Sequence, residues 1–378
     1  MKFNLSDICD YAKGKIDVAV LDKDTYISTE NMMPNKGGIT RASSLPTVAQ
    51  TQCFSAGDVL VSNIRPYFKK IWFAQYEGGC SNDVLVFRAK DGVSKRFLYY
   101  VLADDTFFDY SMATSKGTKM PRGDKKAIMK YEVPDFTYEE QEKIAGILEV
   151  IDEKIELNTA INKNLLQQAQ SIFTQEFLMF DRIPDGWQES SLLGIADYLN
   201  GLAMQKYRPV EGEQGLPVLK IKELRQGSCD ANSDLCSPSI KPEYIVHDGD
   251  VIFSWSGSLL VDLWCGGTCG LNQHLFKVTS ETYDKWFYYA WTNYHLQKFA
   301  AIAADMATTM GHIKREELSK AEVLIPSRSD YERIGSLLAP LYDLVISNRI
   351  ENRKLATLRD ELLPQLMTGR LDVSEVSL

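Results

Sequence analysis

Residues 142–165 read EKIAGILEVIDEKIELNTAINKNL, and residues 332–355, which read ERIGSLLAPLYDLVISNRIENRKL, repeat the same pattern 190 positions later. Both stretches place apolar residues at alternating steps of four and three, in a heptad frame that starts at Ile144 and at Ile334. A heptad frame held over several turns is typical of a long helix that buries one narrow face against another helix. The chain is therefore predicted to contain two long helices that pair with each other.

Two asparagines interrupt the apolar frame at the same place in both copies, Asn158 and Asn162 in the first and Asn348 and Asn352 in the second. In an antiparallel pair, one register places Asn158 opposite Asn352 and Asn162 opposite Asn348. A shift by one heptad would leave amides facing hydrocarbon, at a cost of roughly 1–3 kcal/mol for each unpaired group. We therefore expect these amides to determine the register of an antiparallel coiled coil.

One position of the second frame carries a charge. In the antiparallel register, Arg359 lies opposite Ile151, which is an apolar position. A guanidinium group fits such a position only when its head reaches water. We therefore expect Arg359 to fit this position poorly unless its head extends into water.

The repetition also extends beyond the long helices. The matching segments are 8–14 and 195–201, 57–60 and 249–252, 80–85 and 270–275, 95–100 and 285–290, 118–120 and 308–310, and 132–133 and 322–323. These pairs keep their order along the chain, and each series ends where a long helix begins. The chain is therefore interpreted as a tandem duplication of a globular module followed by a long helix.

Each module is predicted to mix strands and helices. Short β-rich runs such as 59–64, 71–76 and 84–87 are separated by Gly and Asp, which is typical of strands and hairpins. One helix is expected at about 95–110 and again at about 285–304. Its aromatic residues are expected in the core rather than on a base-stacking surface; they are Phe97, Tyr100, Phe107, Phe108, Phe287, Trp291 and Phe299.

The predicted fold class is thus α+β, with two tandem globular α/β domains separated and followed by long helices that pair as an antiparallel coiled coil. Pro134 and Pro326 mark the boundaries before the long helices, because the residue preceding a proline disfavours helix. The predicted divisions are a first domain at 1–135, a first helical spacer at 136–180, a second domain at 181–325, and a second helical spacer with a C-terminal tail at 326–378.

Composition is that of an ordinary soluble globular protein: 378 residues, 44% hydrophobic and 25% charged. No run of eighteen apolar residues is present and the N-terminus has no apolar signal segment, so we expect a cytoplasmic protein without membrane contact. The seven cysteines include no CxxC pair, so free thiols are expected. A zinc site built from the last four cysteines is the alternative to free thiols there, and no metal site is predicted.

Catalytic motifs are missing from the sequence. It contains no GxxxxGK[ST], GxGxxG, HExxH or GxSxG motif, and no NPPY-like or DPPY-like tetrapeptide of adenine methyltransferases. No catalytic residue is therefore predicted, and the chain is not expected to be an enzyme by itself.

Basic and polar residues instead concentrate in loops. The net charge of −9 disfavours nucleic-acid binding by the whole surface, but residues 1–135 carry 19 Lys and Arg against 16 Asp and Glu. Loops that mix Lys, Arg, Ser, Thr and Gly can contact phosphates and reach base edges. The candidate DNA-binding residues are Arg65, Tyr67, Lys69, Lys70, Lys116, Thr118, Lys119, Arg122 and Lys125 in the first module, and Lys206, Tyr207, Arg208, Lys222, Trp255, Gln273, His274, Thr308, His312 and Lys314 in the second. Solvated turns without function remain the alternative.

Two segments carry a resemblance to a known family. Residues 134–144, PDFTYEEQEKI, and residues 358–371, LRDELLPQLMTGRL, resemble the start of the first conserved helix and the end of the second in the specificity (HsdS) subunit of type I restriction-modification systems. The sequence departs from that pattern at Tyr331, where the first copy has Gln141. The resemblance covers nearly the whole chain in its architecture.

The resemblance implies a noncatalytic DNA-binding subunit with two target-recognition domains, each of which reads one half of a bipartite site. It implies that the paired helices set the gap between the half-sites and form a docking platform. The implied partners are double-stranded DNA, two methyltransferase subunits and restriction/translocase subunits. S-adenosylmethionine, ATP and Mg would belong to these partner subunits, with no cofactor in this chain.

Two other functional classes remain as alternatives. One is a coiled-coil scaffold that does not bind DNA, for which charge reversal in the basic loops would leave function intact. The other is a self-sufficient DNA methyltransferase or nuclease, which would show turnover by the purified chain alone.

Overall fold

The computed structural model describes residues 3–305 and 313–373. The chain divides into two compact units, Met1–Glu153 with Leu355–Leu378, and Lys154–Lys354. Each unit therefore contains one globular module together with part of each long helix. Both units mix helix and sheet, which confirms the predicted α+β class.

The first unit contains ten strands and four complete helices in its described residues. The strands are β1 (Phe3–Asn4), β2 (Cys9–Tyr11), β3 (Lys15–Asp17), β4 (Tyr26–Ile27), β5 (Gln50–Phe54), β6 (Val59–Ser62), β7 (Ile71–Phe73), β8 (Gly78–Cys80), β9 (Val84–Ala89) and β10 (Glu132–Val133). The helices are α1 (Leu5–Ile8), α2 (Lys95–Ala103), α3 (Asp105–Ala113) and α4 (Lys125–Ile128), and the long helix α5 (Tyr138–Phe177) starts in this unit.

The second unit repeats this composition. Its strands are β11 (Gln188–Ser191), β12 (Asp197–Asn200), β13 (Leu216–Leu219), β14 (Leu235–Cys236), β15 (Ile245–Val246), β16 (Val251–Ser254), β17 (Leu260–Leu263), β18 (Cys269–Leu271), β19 (Leu275–Thr279) and β20 (Glu322–Ile325). Its helices are α6 (Leu192–Ile195), α7 (Ile221–Gln226), α8 (Lys285–Asp305) and α9 (Arg315–Ser319), and the long helix α10 (Arg328–Met367) starts here.

One four-stranded sheet has the same topology in both units. Its order is β2-β9-β6-β7 in the first unit and β12-β19-β16-β17 in the second, with antiparallel pairing throughout. β6 and β16 are buried along their whole length, so both faces of these central strands are covered. The shared sheet supports the interpretation of the chain as a duplication.

The second sheet differs between the units at one edge. Its order is β3-β5-β8-β4 in the first unit, where β4 runs parallel to β8, and β14-β13-β18-β15 in the second, where β13 runs parallel to β18. The three other strands correspond between the units, and the remaining edge strand differs. In the first unit this edge strand is β3, which pairs with β5, the antiparallel neighbour of β8. In the second unit it is β14, which pairs with β13, the parallel neighbour of β18. The two modules thus share a framework and differ at its periphery.

The helix predicted over 95–110 is wrong in one respect, because the structure contains two helices there. Asp104 ends α2 in an extended conformation, and its side chain accepts a hydrogen bond from the backbone N–H of Thr106 (2.8 Å), which caps α3. A capping aspartate that satisfies the first amides of a new helix gives the chain a reason to turn. The predicted aromatic core is confirmed, since each of the seven side chains is at most 2% exposed.

Both long helices start with the same capping arrangement. The Thr137 hydroxyl donates to the Glu140 carboxylate (2.8 Å), and the Glu140 N–H donates back to the Thr137 hydroxyl (3.3 Å). At the positions 190 residues later, Asp330 N–H donates to the Ser327 hydroxyl (3.3 Å) and this hydroxyl donates to the Asp330 carboxylate (2.7 Å). Side-chain caps of this kind satisfy a free amide of the first turn and fix where a helix begins.

In the second unit the long helices are joined by paired amides. Asn158 Nδ2 donates to Asn352 Oδ1 (2.9 Å), and Asn348 Nδ2 donates to Asn162 Oδ1 (2.9 Å). Two further amide hydrogens have carbonyl acceptors: Asn352 donates to the Ile155 carbonyl (3.1 Å) and Asn162 to that of Val345 (3.4 Å). Since the pairs run in opposite directions along the two helices, the helices are antiparallel, in the register expected from the repeat.

In the first unit the expectation for Arg359 is wrong. Its guanidinium does not extend into water but pairs with Asp152 (2.8 Å) and Asp360 (2.9 Å), and the side chain is only 18% exposed. Burial lowers the pKa of Arg359, and the two carboxylates more than reverse that effect. Asp152 also accepts a hydrogen bond from the Tyr100 hydroxyl (2.9 Å). The charged position therefore joins the long helices to α2 of the module.

The described residues contain neither a membrane-spanning helix nor a metal site. No helix among them is long and apolar enough to cross a membrane. All seven cysteines are free thiols, and no group of three or more potential ligands in residues 3–305 and 313–373 could hold a metal ion.

The asparagine pairs generate a test of register. Replacement of Asn162 by Leu should lower the free energy of unfolding by roughly 1–3 kcal/mol, because the buried Asn348 amide loses its acceptor. The double variant Asn162→Leu/Asn348→Leu should recover most of this loss, because apolar residues then face each other. Urea denaturation of the three proteins measures the effect, and a single variant as stable as the unmodified protein would contradict it.

Candidate DNA interface

Two of the predicted basic segments lie side by side in the first unit. They are residues 63–70, here called the first loop, and residues 115–124, here called the basic loop. Arg65 N–H donates to the Pro121 carbonyl (2.8 Å), and Gly123 N–H donates to the Asn63 carbonyl (3.2 Å). The basic loop is closed on itself by reciprocal backbone hydrogen bonds between Lys116 and Arg122 (2.9 and 3.0 Å). The candidates of both loops therefore belong to one surface.

A third segment, residues 31–40, belongs to the same surface and was missed from the sequence. Asn35 N–H donates to the Phe68 carbonyl (2.8 Å), and Lys36 N–H donates to the Lys69 carbonyl (2.9 Å). The segment Pro-Asn-Lys-Gly-Gly at 34–38 has the composition of a turn, which could have identified a loop but not its neighbour. We call residues 31–40 the third loop.

Backbone strain is concentrated where the first and third loops meet. Asn35, Lys36, Arg65 and Lys69 have φ values of 54°, 60°, 52° and 50°, and they are the non-glycine residues with positive φ in the described chain. The left-handed region is unfavourable for residues with a Cβ, and such residues cluster at functional sites when the surrounding structure holds them there. The strain therefore supports a binding role for this surface.

The Asp105 carboxylate holds two of these residues in place. It forms ion pairs with Lys36 Nζ (3.0 Å) and Lys69 Nζ (2.8 Å). Partial burial raises the pKa of Asp105, but the ion pairs with Lys69 and Lys36 lower it by more, so that it lies below its ordinary value. Lys70 Nζ donates to the Thr29 carbonyl (2.6 Å), and burial lowers its pKa. These lysines therefore order the loops through specific contacts.

Other candidates of the first unit point into solvent. Tyr67 is 48% exposed, and its ring contacts that of Phe68 in a tilted arrangement with centroids 4.7 Å apart. Thr118 and Lys119 are exposed at the tip of the basic loop. Lys125 lies at the start of α4, with its Nζ 6.0 Å from the centre of the Tyr11 ring.

Two cations of the basic loop have carboxylate partners. Lys116 Nζ pairs with Asp124 (2.5 Å), and Arg122 pairs with Asp83 (3.2 Å). The pKa of Asp124 is lowered to about 2 by Lys116 and by the amides of Ala127 and Lys126, which its side chain caps. These exposed ion pairs can open when a phosphate competes for the cation.

Two buried polar atoms of the first loop are unpaired. Asn63 Oδ1 and Arg65 Nε are buried without a hydrogen-bond partner in the described structure. A Cβ added to Gly123 would lie 2.8 Å from Asn63 Oδ1 and 2.7 Å from the Ile128 side chain, so only glycine fits between the loops. Asn63 was not among the residues predicted from the sequence. Its position directly after the strand β6 was the signal that could have identified it.

The second unit repeats the connection between the two loops. Ile313 N–H donates to the Trp255 carbonyl (2.9 Å), and Ile313 and Trp255 occupy the positions of Gly123 and Asn63. Lys314 is exposed directly before α9. The candidates Thr308 and His312 lie outside the described residues.

A polar cluster surrounds Trp255 in the second unit. Trp255 Nε1 donates to Asn200 Oδ1 (3.0 Å), and the Trp255 ring lies 6.1 Å from that of His274. His274 Nδ1 is 3.2 Å from the Ser256 hydroxyl, and its Nε2 is 3.3 Å from Gln273 Nε2. The structure thus brings Trp255, Gln273 and His274 together.

Residues 206–208 lie near that cluster. The backbone N–H of Gln273 donates to the Leu202 carbonyl (2.8 Å), which places the segment that follows Leu202 beside Gln273. Lys206, Tyr207 and Arg208 are exposed, and Arg208 lines a cavity of about 400 Å³ with Asn272, which the sequence did not single out.

Lys222 has a different environment. It is exposed on α7, where its Nζ lies 3.3 Å from the Asp230 carboxylate and 3.9 Å from that of Glu223. Its charge is therefore balanced within its own module.

The chain is similar to proteins of one family along most of its length. The family model described as type I restriction modification DNA specificity domain matches residues 1–167 and 184–358. The type I restriction enzyme MjaIX specificity subunit of Methanocaldococcus jannaschii is 25% identical, over 76% of this chain and 71% of that protein. The HindI specificity subunit of Haemophilus influenzae is 20% identical, over 98% of this chain and 99% of that protein.

A solved structure shares the fold. The crystal structure of a type I restriction-modification system S subunit from M. genitalium matches with a TM-score of 0.58 and 16% identity, over 97% of this chain and 96% of that one.

The ion pairs of Asp105 predict a pH-dependent stability. A lowered folded-state pKa stabilises the protein above the ordinary carboxyl value of about 4, and the contribution is lost as the pH falls below it. Asp105→Asn should therefore lower the melting temperature at about pH 7, and its difference from the unmodified protein should shrink towards about pH 3.

Asp109→Asn is the matched control, because Asp109 is exposed on the same helix α3. This variant should leave the melting temperature unchanged at both pH values. A difference between Asp105→Asn and the unmodified protein that stays constant with pH would contradict the assignment of these ion pairs.

Proposed function

The chain belongs to the type I restriction-modification DNA specificity family and is a DNA sequence-recognition subunit, and from this premise we propose that it reads a bipartite site with its two modules. Each module recognises one half-site. The family match occurs twice along the chain, once for each module and its helix. Two reading modules in one chain favour a split target over a continuous one.

The observation that supports this proposal most strongly is the surface formed by the three loops of the first unit. It combines exposed cations, a strained backbone and unpaired buried polar atoms at one place. Lys119 and Lys125 suit phosphate contacts, and Arg65 follows a buried central strand that supports a side chain aimed at base edges. Phosphate contacts position a protein on DNA, whereas contacts to base edges carry the sequence information.

The second module is proposed to read a different half-site. Trp255 stands at the position of Asn63 with Gln273 and His274 beside it, and the position of Arg65 carries Gly257. An indole, an amide and an imidazole offer donors, an acceptor and apolar surface in place of fixed positive charge. The edge strand of the second sheet, β3 in the first module and β14 in the second, also differs and changes the loops at that edge of the sheet.

The long helices are proposed to act as the spacer between the half-sites and as the docking platform for two methyltransferase subunits. Large apolar residues remain exposed on them at heptad spacings: Val150 and Leu157 on α5, and Leu337, Leu344 and Leu358 on α10, each between 44% and 61% exposed. A second apolar stripe beside the asparagine-containing one is suited to further helices from a partner.

Catalysis is assigned to the partners in this proposal. The chain contributes recognition, the methyltransferase subunits bring S-adenosylmethionine, and restriction/translocase subunits use ATP and Mg.

Charge reversal in the basic loop tests the DNA-binding surface. Lys119→Glu in the complex with the methyltransferase subunits should weaken binding to target DNA by about tenfold or more and reduce the salt dependence by about one ion, because one phosphate contact is replaced by repulsion. Filter binding at several salt concentrations measures both effects. Complex formation should be unchanged.

Lys241→Glu is the matched control, since Lys241 is 78% exposed outside the candidate loops and makes the same change in net charge. If both variants bind DNA as tightly as the unmodified protein, Lys119 does not contact DNA. If both bind weakly, the effect comes from net charge rather than from the loop.

A further inference from the structure

The two long helices carry different residues at one repeat position and use them for the same bond. Gln141 lies in the first turn of α5, and Tyr331 occupies the position 190 residues later in the first turn of α10. The backbone N–H of Ser94 donates to Gln141 Oε1 (3.0 Å), and the N–H of Asp284 donates to the Tyr331 hydroxyl (2.7 Å). Ser94 and Asp284 directly precede α2 and α8, the main helices of the two modules.

The second bond of each side chain uses a different partner. Gln141 Nε2 donates to the Phe136 carbonyl (2.9 Å), whereas the Tyr331 hydroxyl donates to the Asp284 carboxylate (3.1 Å). Both residues therefore share one feature: each accepts a hydrogen bond from the backbone N–H that precedes the main helix of its module. An amide and a phenol can fill this role because each presents an oxygen with a free lone pair.

The surroundings hold both acceptors rigidly. Gln141 is only 7% exposed and Ser94 only 3%. The Tyr331 ring packs against Trp286 and Phe287, with centroids 5.0 and 5.3 Å away. Burial raises the pKa of Tyr331, so the hydroxyl stays protonated and can donate and accept at once.

The remaining contact between module and helix is apolar. In the first unit, Phe97 and Val101 of α2 share a core cluster with Ile144 and Leu148 of α5. In the second, Trp286 of α8 shares one with Ile334 and Leu338 of α10. Apolar contacts are not directional and tolerate small shifts, whereas a hydrogen bond has a preferred distance and angle. A single hydrogen bond at the end of the contact can therefore select one orientation.

We propose that Gln141 and Tyr331 are positioning residues that fix the orientation of each recognition module on its long helix and thereby the gap accepted between the two half-sites. Neither residue touches DNA in this proposal. The inference rests on the proposed bipartite recognition, because a gap has meaning only when two half-sites are read.

The test separates the hydrogen bond from the packing around it. Tyr331→Phe keeps the ring and loses the acceptor, whereas Tyr331→Gln loses the ring and keeps an acceptor of the kind that the first module uses. Gln141→Met removes the acceptor in the first unit and keeps an unbranched side chain of similar length. Each variant is purified as the complex with methyltransferase subunits, and its melting temperature is recorded.

Methylation rates are then measured on DNA with the natural gap and on DNA with one base pair added or removed. Tyr331→Phe and Gln141→Met should lose discrimination against the altered gaps by about tenfold, the factor that corresponds to about 1.4 kcal/mol and to one hydrogen bond. Tyr331→Gln should keep the discrimination and melt at a lower temperature, because the contacts with Trp286 and Phe287 are gone.

Two results would overturn the inference. Discrimination that follows the melting temperature, with Tyr331→Gln worse than Tyr331→Phe, would show that the residues act only through stability. Unchanged discrimination in all three variants would show that the bond does not set orientation. A complex of the unmodified chain that methylates DNA without a split motif would instead remove the proposed function itself, so the two failures are distinguishable.

Discussion

Hydrogen bonds between buried asparagine side chains are the constraint on which this structure depends. Apolar residues at heptad spacing would allow the long helices to pair in several registers, since one leucine replaces another at little cost. The pairs Asn158–Asn352 and Asn162–Asn348 form side-chain hydrogen bonds in one register, and the Ile155 and Val345 carbonyls accept two further amide hydrogens. Register matters here because each compact unit is assembled from a module and parts of both helices.

Duplication explains how one framework can serve two recognition tasks. The buried sheet around β6 and β16, the side-chain caps of the long helices and the backbone bond between the two loops are kept in both modules. The edge strand of the second sheet, β3 or β14, and the side chains of the loops differ. A rigid shared core with variable loops lets a protein change what it reads without changing how it folds.

Much of the fold could be predicted from the sequence because its signals are local or periodic. The heptad frame, the turn residues and the repeat gave the long helices, the strands and the duplication. The prediction for Arg359 failed because it considered only Ile151, the residue opposite in the heptad frame. The partner of Arg359 is the carboxylate of Asp152, which lies one position outside that frame. The third loop was missed because Asn35 and Lys36 meet the first loop only through long-range backbone hydrogen bonds. Side-chain identity likewise suggested cations for DNA, but not that Asp105 holds Lys69.

The most direct test of this account is a map of methylated adenines in DNA from cells that express the chain with its methyltransferase subunit. New methylation is expected at a split motif with two different half-sites and one fixed gap, since two modules with different loops are joined by helices in one register. Methylation at a continuous motif, or a stable complex that adds no methylation, would contradict the reading of DNA by two modules.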